Sequence, residues 1–242
     1  MKNKLFIIIA IVLLILTLLL WGFLGIIKFN NPSKEEYPVR GVDVSAYQGT
    51  IDWKKLSEQN IQFAYIKATE GSSFVDENFQ ENYKNAQETN LKIGAYHFFS
   101  YDSEGATQAE NFINNVEKID NMLPPVIDVE FYGEYKKNTP DKEKTQEQLR
   151  ILIDKIKENY EVSPILYATN ESYELYIANN FEDCEIWIRD IMKSPDLPDN
   201  REWTFWQYTN REILDGYQGE ETYIDMNVFH GTQEEFDAKF SI

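Results

Sequence analysis

The fold predicted by this sequence is an eight-stranded α/β barrel, and three observations predict it. Five strand-like runs are each followed by a helical pattern, the order that crossover helices impose on parallel strands. Three further strand-like runs then follow with no long amphipathic helix between them. All eight lie within about 200 residues, the short end of the range for a closed barrel of this kind. The alternative, an open doubly wound sheet in its nucleotide-binding form, carries a Gly-rich phosphate loop after the first strand, and this chain has none there.

The N-terminal segment is of a different composition. Leu5 to Ile27 carries no charged residue and is mostly Leu and Ile. About 20 apolar residues suffice to span a bilayer core as a helix. A signal peptide has a shorter apolar region and a small-residue cleavage site, and no such site follows here. Residues 1–29 are therefore expected to form a cytoplasmic stub and one transmembrane anchor; the alternative is a signal that is cleaved, releasing a secreted protein. Lys2 and Lys4 before the segment outweigh Lys28 after it, which favours a cytoplasmic N-terminus and an extracytoplasmic domain held at the cell membrane. Residues 30–38 (NNPSKEEYP) read as a polar linker, and the chain from Lys28 to Pro38 reaches at most ~36–40 Å when extended. Residues 39–242 form the expected folded domain.

Within that domain Arg40–Tyr47 reads as a strand and loop, and Trp53–Asn60 as a short helix. Phe63–Thr69 is a strand. Asp76–Asn90 is helical, with Phe79, Tyr83 and Ala86 on one face. Lys92–Phe99 is a strand, and Ser103–Val116 a helix with Ser103 at its N-cap. Pro125–Phe131 is a strand. Thr145–Asn159 is a helix that turns Leu149, Leu152, Ile153 and Ile156 inward. Pro164–Ala168 is a strand and Ser172–Ala178 a short helix. Glu185–Arg189, Thr204–Tyr208 and Tyr223–Val228 complete the strands. Glu134–Lys144 and Tyr217–Glu221 read as solvated loops.

Composition excludes several functions. The chain has 41 acidic and 23 basic residues, a formal charge of −18, so nucleic acid is not the expected partner. A single cysteine, Cys184, rules out an internal disulfide framework and a Cys-rich zinc site. Two histidines, His97 and His230, make a His-based metal site unexpected, and no cofactor is anticipated. No Ser or Cys nucleophile pattern accompanies His97, which reads as a structural hydrogen-bonding residue.

Barrel enzymes keep their chemistry at the C-terminal ends of their strands. Asp43 lies in the first strand, Asp128 and Glu130 in the fourth, and Asp225 in the eighth. Asp128 and Glu130 are two apart, so strand alternation puts both on one face with Cα atoms ~6.5 Å apart. Their neighbours Ile127 and Val129 then face the helices. Close, partly buried carboxylates push one pKa up, which is how a glycosidase keeps an acid protonated. The other reading is a pair of solvated acids at a barrel rim. Lys67 alternates onto the same face as Tyr65 and Thr69, either as a partner for a carboxylate or exposed. Among the aromatics near strand ends are Tyr47, Tyr96, Tyr132, Tyr167, Trp187, Trp206 and Tyr208; such rings either line a glycan cleft or pack in the core.

The segments GVDVSAYQGTIDW, FAYIKATEG, GAYHFF, PVIDVE, PILYA, FWQYT and YIDMNVF occur in an order that resembles glycoside hydrolase family 25, the N-acetylmuramidases of the Chalaropsis type. The resemblance spans about residues 38–230 and implies a TIM-like barrel of the (β/α)5(β)3 type. It implies hydrolysis of the β-1,4 bond between N-acetylmuramic acid and N-acetylglucosamine, so peptidoglycan glycan strands are the expected partner. It places the general acid at Glu130 and a residue orienting the substrate's N-acetyl group at Asp128. Asp43 and Asp225 become further active-site carboxylates. Tyr96, Tyr167, Trp187 and Trp206, together with the loop acid Glu70, become substrate-binding candidates. One departure stands out: relatives often have Ala after Trp-Ile, and this chain has Arg189. A barrel that binds peptidoglycan without cutting it, or a structural member of an envelope complex, remains the competing function.

Overall fold

The computed structural model describes residues 2–23 and 30–240. Helix α1 covers Lys2–Phe23, and its Leu and Ile side chains are exposed from Leu5 to Leu18. Among the described residues no helix is long and apolar enough to cross a membrane. The expected span continues to Ile27, and that end lies outside the described residues.

The barrel follows. β1 is Arg40–Val44, then α2 Trp53–Ser57, β2 Phe63–Glu70, the short β3 Phe74–Val75, α3 Phe79–Ala86 and β4 Lys92–Phe98. Next come α4 Gly105–Asn115, β5 Val126–Val129, α5 Lys142–Tyr160, β6 Ile165–Thr169 and the one-turn α6 Asn170–Ser172, which continues as a π-turn to Ile177. β7 Ile186–Arg189, β8 Phe205–Glu212, β9 Ile224–Phe229 and α7 Gln233–Lys239 complete the order. Strands β1, β2, β4, β5, β6, β7 and β8 pair in parallel in that sequence. β9 runs antiparallel to both β8 and β1 and closes the ring. The eight expected strands are all present, and β3 is an added hairpin arm on β2.

Two apolar layers hold the barrel. Outside the sheet, Ile127 and Val129 of β5 pack with Leu149, Leu152, Ile153 and Ile156 of α5, as the period of α5 predicts. Inside, Phe63, Tyr65, Trp187, Phe205 and Phe229 form an aromatic plug. Gly94 makes room for it: a Cβ there would overlap the ring of Tyr65, its neighbour across β2 and β4. α7 was not expected. Thr232 caps it reciprocally with Glu235, and it sets Phe236 against Phe63 and Phe229 at the N-terminal end of the barrel. That floor leaves the opposite end for chemistry.

Several local expectations change. α5 starts at Lys142 because Asp141 caps the backbone N–H of Lys144, so the loop before it is shorter than expected. Part of that loop, Gly133–Lys136, is a 3-10 turn. Ser103 is not the cap of α4; Glu104 takes the N-cap position without a side-chain bond, and the Ser103 carbonyl instead accepts from Gln108 Nε2. A bulge between Lys67 and Thr69 breaks the alternation of β2. Lys67 therefore faces the cleft, while Thr69 turns to His97 on the helix side.

The linker is a strap rather than a free tether over its described part. Pro32 is buried and its carbonyl accepts from the buried Arg40 guanidinium at 2.5 Å. Tyr37 packs against Trp203 and Trp206, and Asn30 Nδ2 donates to the carbonyl of Asp190 at 3.0 Å. The full extension available to residues 30–38 is thus not used.

His97 is structural, as its isolation predicts. Gln108 Oε1 already accepts from the Ser100 N–H at 2.8 Å, so it also accepts from His97 Nε2 at 3.1 Å. His97 Nδ1 then accepts from the Thr69 hydroxyl at 2.7 Å, and the ring is the neutral Nε2–H tautomer. Burial, with a smaller push from Lys67, lowers its pKa to about 4. Between an unfolded value near 6.5 and this folded value, the unfolded chain binds the extra proton. Stability contributed by neutral His97 is therefore complete above about pH 6.5 and lost as pH falls toward 4. Denaturant titrations from pH 7 to 4 should show a fall of a few kcal/mol, since each tenfold change in proton affinity is worth about 1.4 kcal/mol. His97→Gln should flatten that part of the profile.

Candidate active site

The C-terminal mouth of the barrel holds a cleft of about 210 Å3 lined by Asp43, Asp128, Glu130 and Asp225. All four expected acids meet there. Strand pairing brings them together: Asp43 on β1 lies opposite Asp225 on β9, and Asp128 on β5 sits between Phe98 of β4 and Tyr167 of β6. Glu130 follows β5 by one residue and shares the face of Asp128.

Amides, not cations, hold Asp43. Its Oδ1 accepts from Asn227 Nδ2 at 2.7 Å, and its two oxygens accept from Gln207 Nε2 at 3.0 and 3.1 Å. Both amides are themselves oriented. Trp187 Nε1 donates to Asn227 Oδ1 at 2.9 Å, and the Tyr167 hydroxyl donates to Gln207 Oε1 at 3.0 Å. The carbonyl oxygens are thereby occupied, so each NH2 group must point at the acid. Gln207 Nε2 also reaches Asp225 Oδ2 at 3.2 Å.

Electrostatics separate the four groups. Burial raises the pKa of Asp43, while the bonds from Asn227, Gln207 and Asp225 pull it back. Burial and the Asp43 charge raise Asp225 well above the usual carboxylate range. Burial and the charge of Glu130 push Asp128 well up. Burial raises Glu130 too, opposed by Arg189 and Lys136. Asp128 Oδ1 is buried and has no hydrogen-bond partner. Such an orphan acceptor is costly unless a ligand donor meets it or the carboxyl is protonated.

The expected substrate binders divide. Tyr96, Tyr167 and Trp187 line the cleft, but Tyr167 and Trp187 are buried at its floor and commit their polar tips to Gln207 and Asn227. Trp206 is not in the cleft. Phe205 and Gln207 of β8 face inward, so alternation sends Trp206 outward, where its Nε1 donates to the Asp190 carbonyl among Tyr37, Trp203 and Tyr208. Tyr208 likewise faces outward and accepts from Arg40 Nη1 at 2.9 Å. Glu70 does not line the cleft; it pairs with Lys67 at 2.8 Å and fixes that lysine, which does. Glu221, expected in a solvated loop, reaches the rim and accepts from Gln48 Nε2 at 3.3 Å.

Gln207 and Asn227 are site residues that the sequence alone does not single out. Asn227 had a signal, since it lies two residues from Asp225 on one strand and so shares its face. Among the described residues no group of His, Cys, Asp and Glu is arranged to hold a metal ion.

A closed barrel with paired acids at its C-terminal mouth and aromatic walls defines a glycoside hydrolase. The family model for glycosyl hydrolases family 25 matches residues 42–217. A solved family 25 glycosyl hydrolase from Bacillus anthracis is 52% identical with a TM-score of 0.83, covering 88% of this chain and 98% of that one. Protein YegX of Escherichia coli K12, itself uncharacterized, is 32% identical over 90% of this chain and 79% of its own length. Lysozyme M1 of Streptomyces globisporus is 30% identical over 80% of this chain and 68% of its own length. The chain belongs to glycosyl hydrolase family 25.

The acid cluster strains the fold. Asp128 is nearly buried beside Glu130 with one oxygen unpaired. Asp128→Asn removes the like charge, so it should raise stability by about 0.5–2 kcal/mol, the usual gain when a functional strain is relieved. A raised carboxylate pKa stabilises the fold at low pH and loses that contribution as pH rises through the folded value. The advantage of the Asn variant should therefore grow from pH 4 to pH 8 in paired thermal melts.

Proposed function

We propose that this chain is a muramidase that hydrolyses the β-1,4 bond between N-acetylmuramic acid and N-acetylglucosamine in peptidoglycan. The observation that carries the reading is the orphan Oδ1 of Asp128 beside Glu130, at the base of the cleft. An acetamido N–H is the donor such an acceptor lacks, and both sugars of the strand carry one. The resemblance to Lysozyme M1 supports the same assignment.

In this reading Glu130, its pKa raised by burial, is the general acid. Its proton passes to the glycosidic oxygen as the C1–O bond breaks and the bonding pair leaves with that oxygen. Positive charge then develops at the anomeric carbon. Asp43, oriented by Gln207 and Asn227, lies in the same cleft to stabilise it. Water supplies the new hydroxyl and returns a proton to Glu130. Asp128 keeps the N-acetyl group in register, and Tyr96 gives the sugar a wall.

The full chain in detergent, incubated with purified peptidoglycan, should release glycan whose borohydride-reduced ends are muramitol by mass spectrometry. Glu130→Gln should remove about 10²–10⁴ of that rate, the usual contribution of a general acid, with an unchanged circular-dichroism spectrum. Reduced glucosamine ends would mean a glucosaminidase. Binding to peptidoglycan without new ends, from folded protein, would mean a binding module.

The proposal extends to place. The uncharged run from Leu5 to Ile27 supports a single membrane anchor with the hydrolase domain outside the cytoplasm. Because the strap from Asn30 to Pro38 lies along the barrel, such an anchor would keep the cleft close to the bilayer, where newly made glycan is laid down. The protein should then resist alkaline carbonate extraction and retain its N-terminal residues in intact-mass spectra. A mature form lacking residues 1–29, found free in the medium, would contradict this.

A further inference from the structure

Beside the acid cleft lies a second depression of about 440 Å3 that shares Glu130 with it. Its lining includes Arg189 from the end of β7 and Lys136 from the turn after β5, with the exposed Glu171 and with Asp190 as its other acids. Arg189 is half-buried, and no hydrogen bond or ion pair engages its side chain among the described residues. The acid next to it in sequence does not neutralise it. Asp190 Oδ1 accepts from the Met192 and Lys193 backbone N–H groups at 2.9 and 3.1 Å, and its Oδ2 accepts from Asn170 Nδ2 at 3.0 Å. A partly desolvated guanidinium with no carboxylate partner is unusual in a chain with almost twice as many acids as bases.

We propose that Arg189 and Lys136 form an anion subsite on the Glu130 side of the cleft, which takes a carboxylate carried by the sugar unit at the scissile bond. The proposal rests on the muramidase reading, since a muramic unit is the part of the strand that bears such a group. The planar guanidinium suits bidentate capture of a carboxylate, and the exposed Lys136 adds positive charge to the same depression. The field of Arg189 already reaches Glu130, Asp43 and Asp225. A substrate carboxylate bound there would offset that field and seat the glycosidic oxygen against Glu130. Two groups share this chemistry: the lactyl carboxylate of the muramic unit when no peptide is attached, and a free carboxylate of the peptide stem.

Two pairs of substrates distinguish them. The first is stem-free glycan with its lactyl carboxylates intact or reduced to alcohols. The second is stem-bearing glycan with its peptide carboxylates free or amidated. The full-length enzyme in detergent should favour the carboxylate member of at least one pair by about tenfold in kcat/KM, the effect of one charge-assisted hydrogen bond. The preference should lie in KM. Arg189→Ala should erase it and Arg189→Lys should retain part of it. Lys136→Ala, at an exposed position, should weaken the same preference and serves if Arg189→Ala misfolds. A preference in the first pair identifies the lactyl group, and one confined to the second identifies the stem. No preference in either pair, or one that survives Arg189→Ala, overturns the subsite. A uniform loss across all four substrates, with only a shift in the pH profile of kcat, would show instead that Arg189 acts through Glu130. If the wild-type enzyme cleaves none of the four, the muramidase reading itself fails.

Discussion

The carboxyl group of Asp43 is the group around which the mouth of this barrel is organised. It sits at the mouth among three other acids, opposite Asp225, and the groups that hydrogen-bond to it are the side-chain amides of Gln207 and Asn227. Neutral donors orient a carboxylate without cancelling the field of its charge. The arrangement requires that Gln207 and Asn227 cannot flip, and this fixes the positions of Tyr167 and Trp187. Those two rings in turn belong to the aromatic plug that fills the barrel beneath the cleft. Packing and catalysis thus share the same side chains: the plug orients the indole and phenol, they orient the amides, and the amides hold the acid.

The reversal of the last strand follows from the same requirement. β9 runs antiparallel between β8 and β1, which sets Asp225 opposite Asp43 and Asn227 opposite Gln207 in register. A sixth crossover helix is not needed, because a hairpin return reaches the closing position directly. The barrel floor is covered by α7 and its C-cap, whose Phe236 and Phe240 pack on Phe205 and Phe229.

Most of the architecture is legible in the chain because alternation of strand and helix is a long-range pattern that short irregularities do not erase. The eight strands and the inward face of α5 follow from period alone. What the pattern does not carry is parity. Aromatics at strand ends suit sugars, which favours Trp206 as a cleft residue, yet one residue of register sends it to the outer layer and brings Gln207 in. The bulge after Lys67 misleads in the same way at Thr69, since a bulge leaves no mark on hydrophobic period. The acids are legible for the opposite reason: Asp128 and Glu130 share a face whichever neighbour is considered. The amides escape because Gln and Asn are ordinary surface residues, and only the three-dimensional network gives them a charge to hold.

Residues 30–38 lead to a different kind of argument. Composition makes them a linker, and a polar segment with two prolines has little reason to pack. They pack because Arg40, at the start of β1, needs acceptors once buried, and the Pro32 carbonyl and the Tyr208 hydroxyl supply them. The Asn30 amide then reaches the carbonyl of Asp190, which also accepts from Trp206. Asp190 directly follows Arg189, and its side chain closes the turn that lines the second depression. The point where the chain joins the domain is therefore attached to the loop that lines the second depression. The strap and the turn beside Arg189 therefore meet at one hydrogen-bonded junction, the Asp190 carbonyl, which is why a segment of linker composition is packed rather than free.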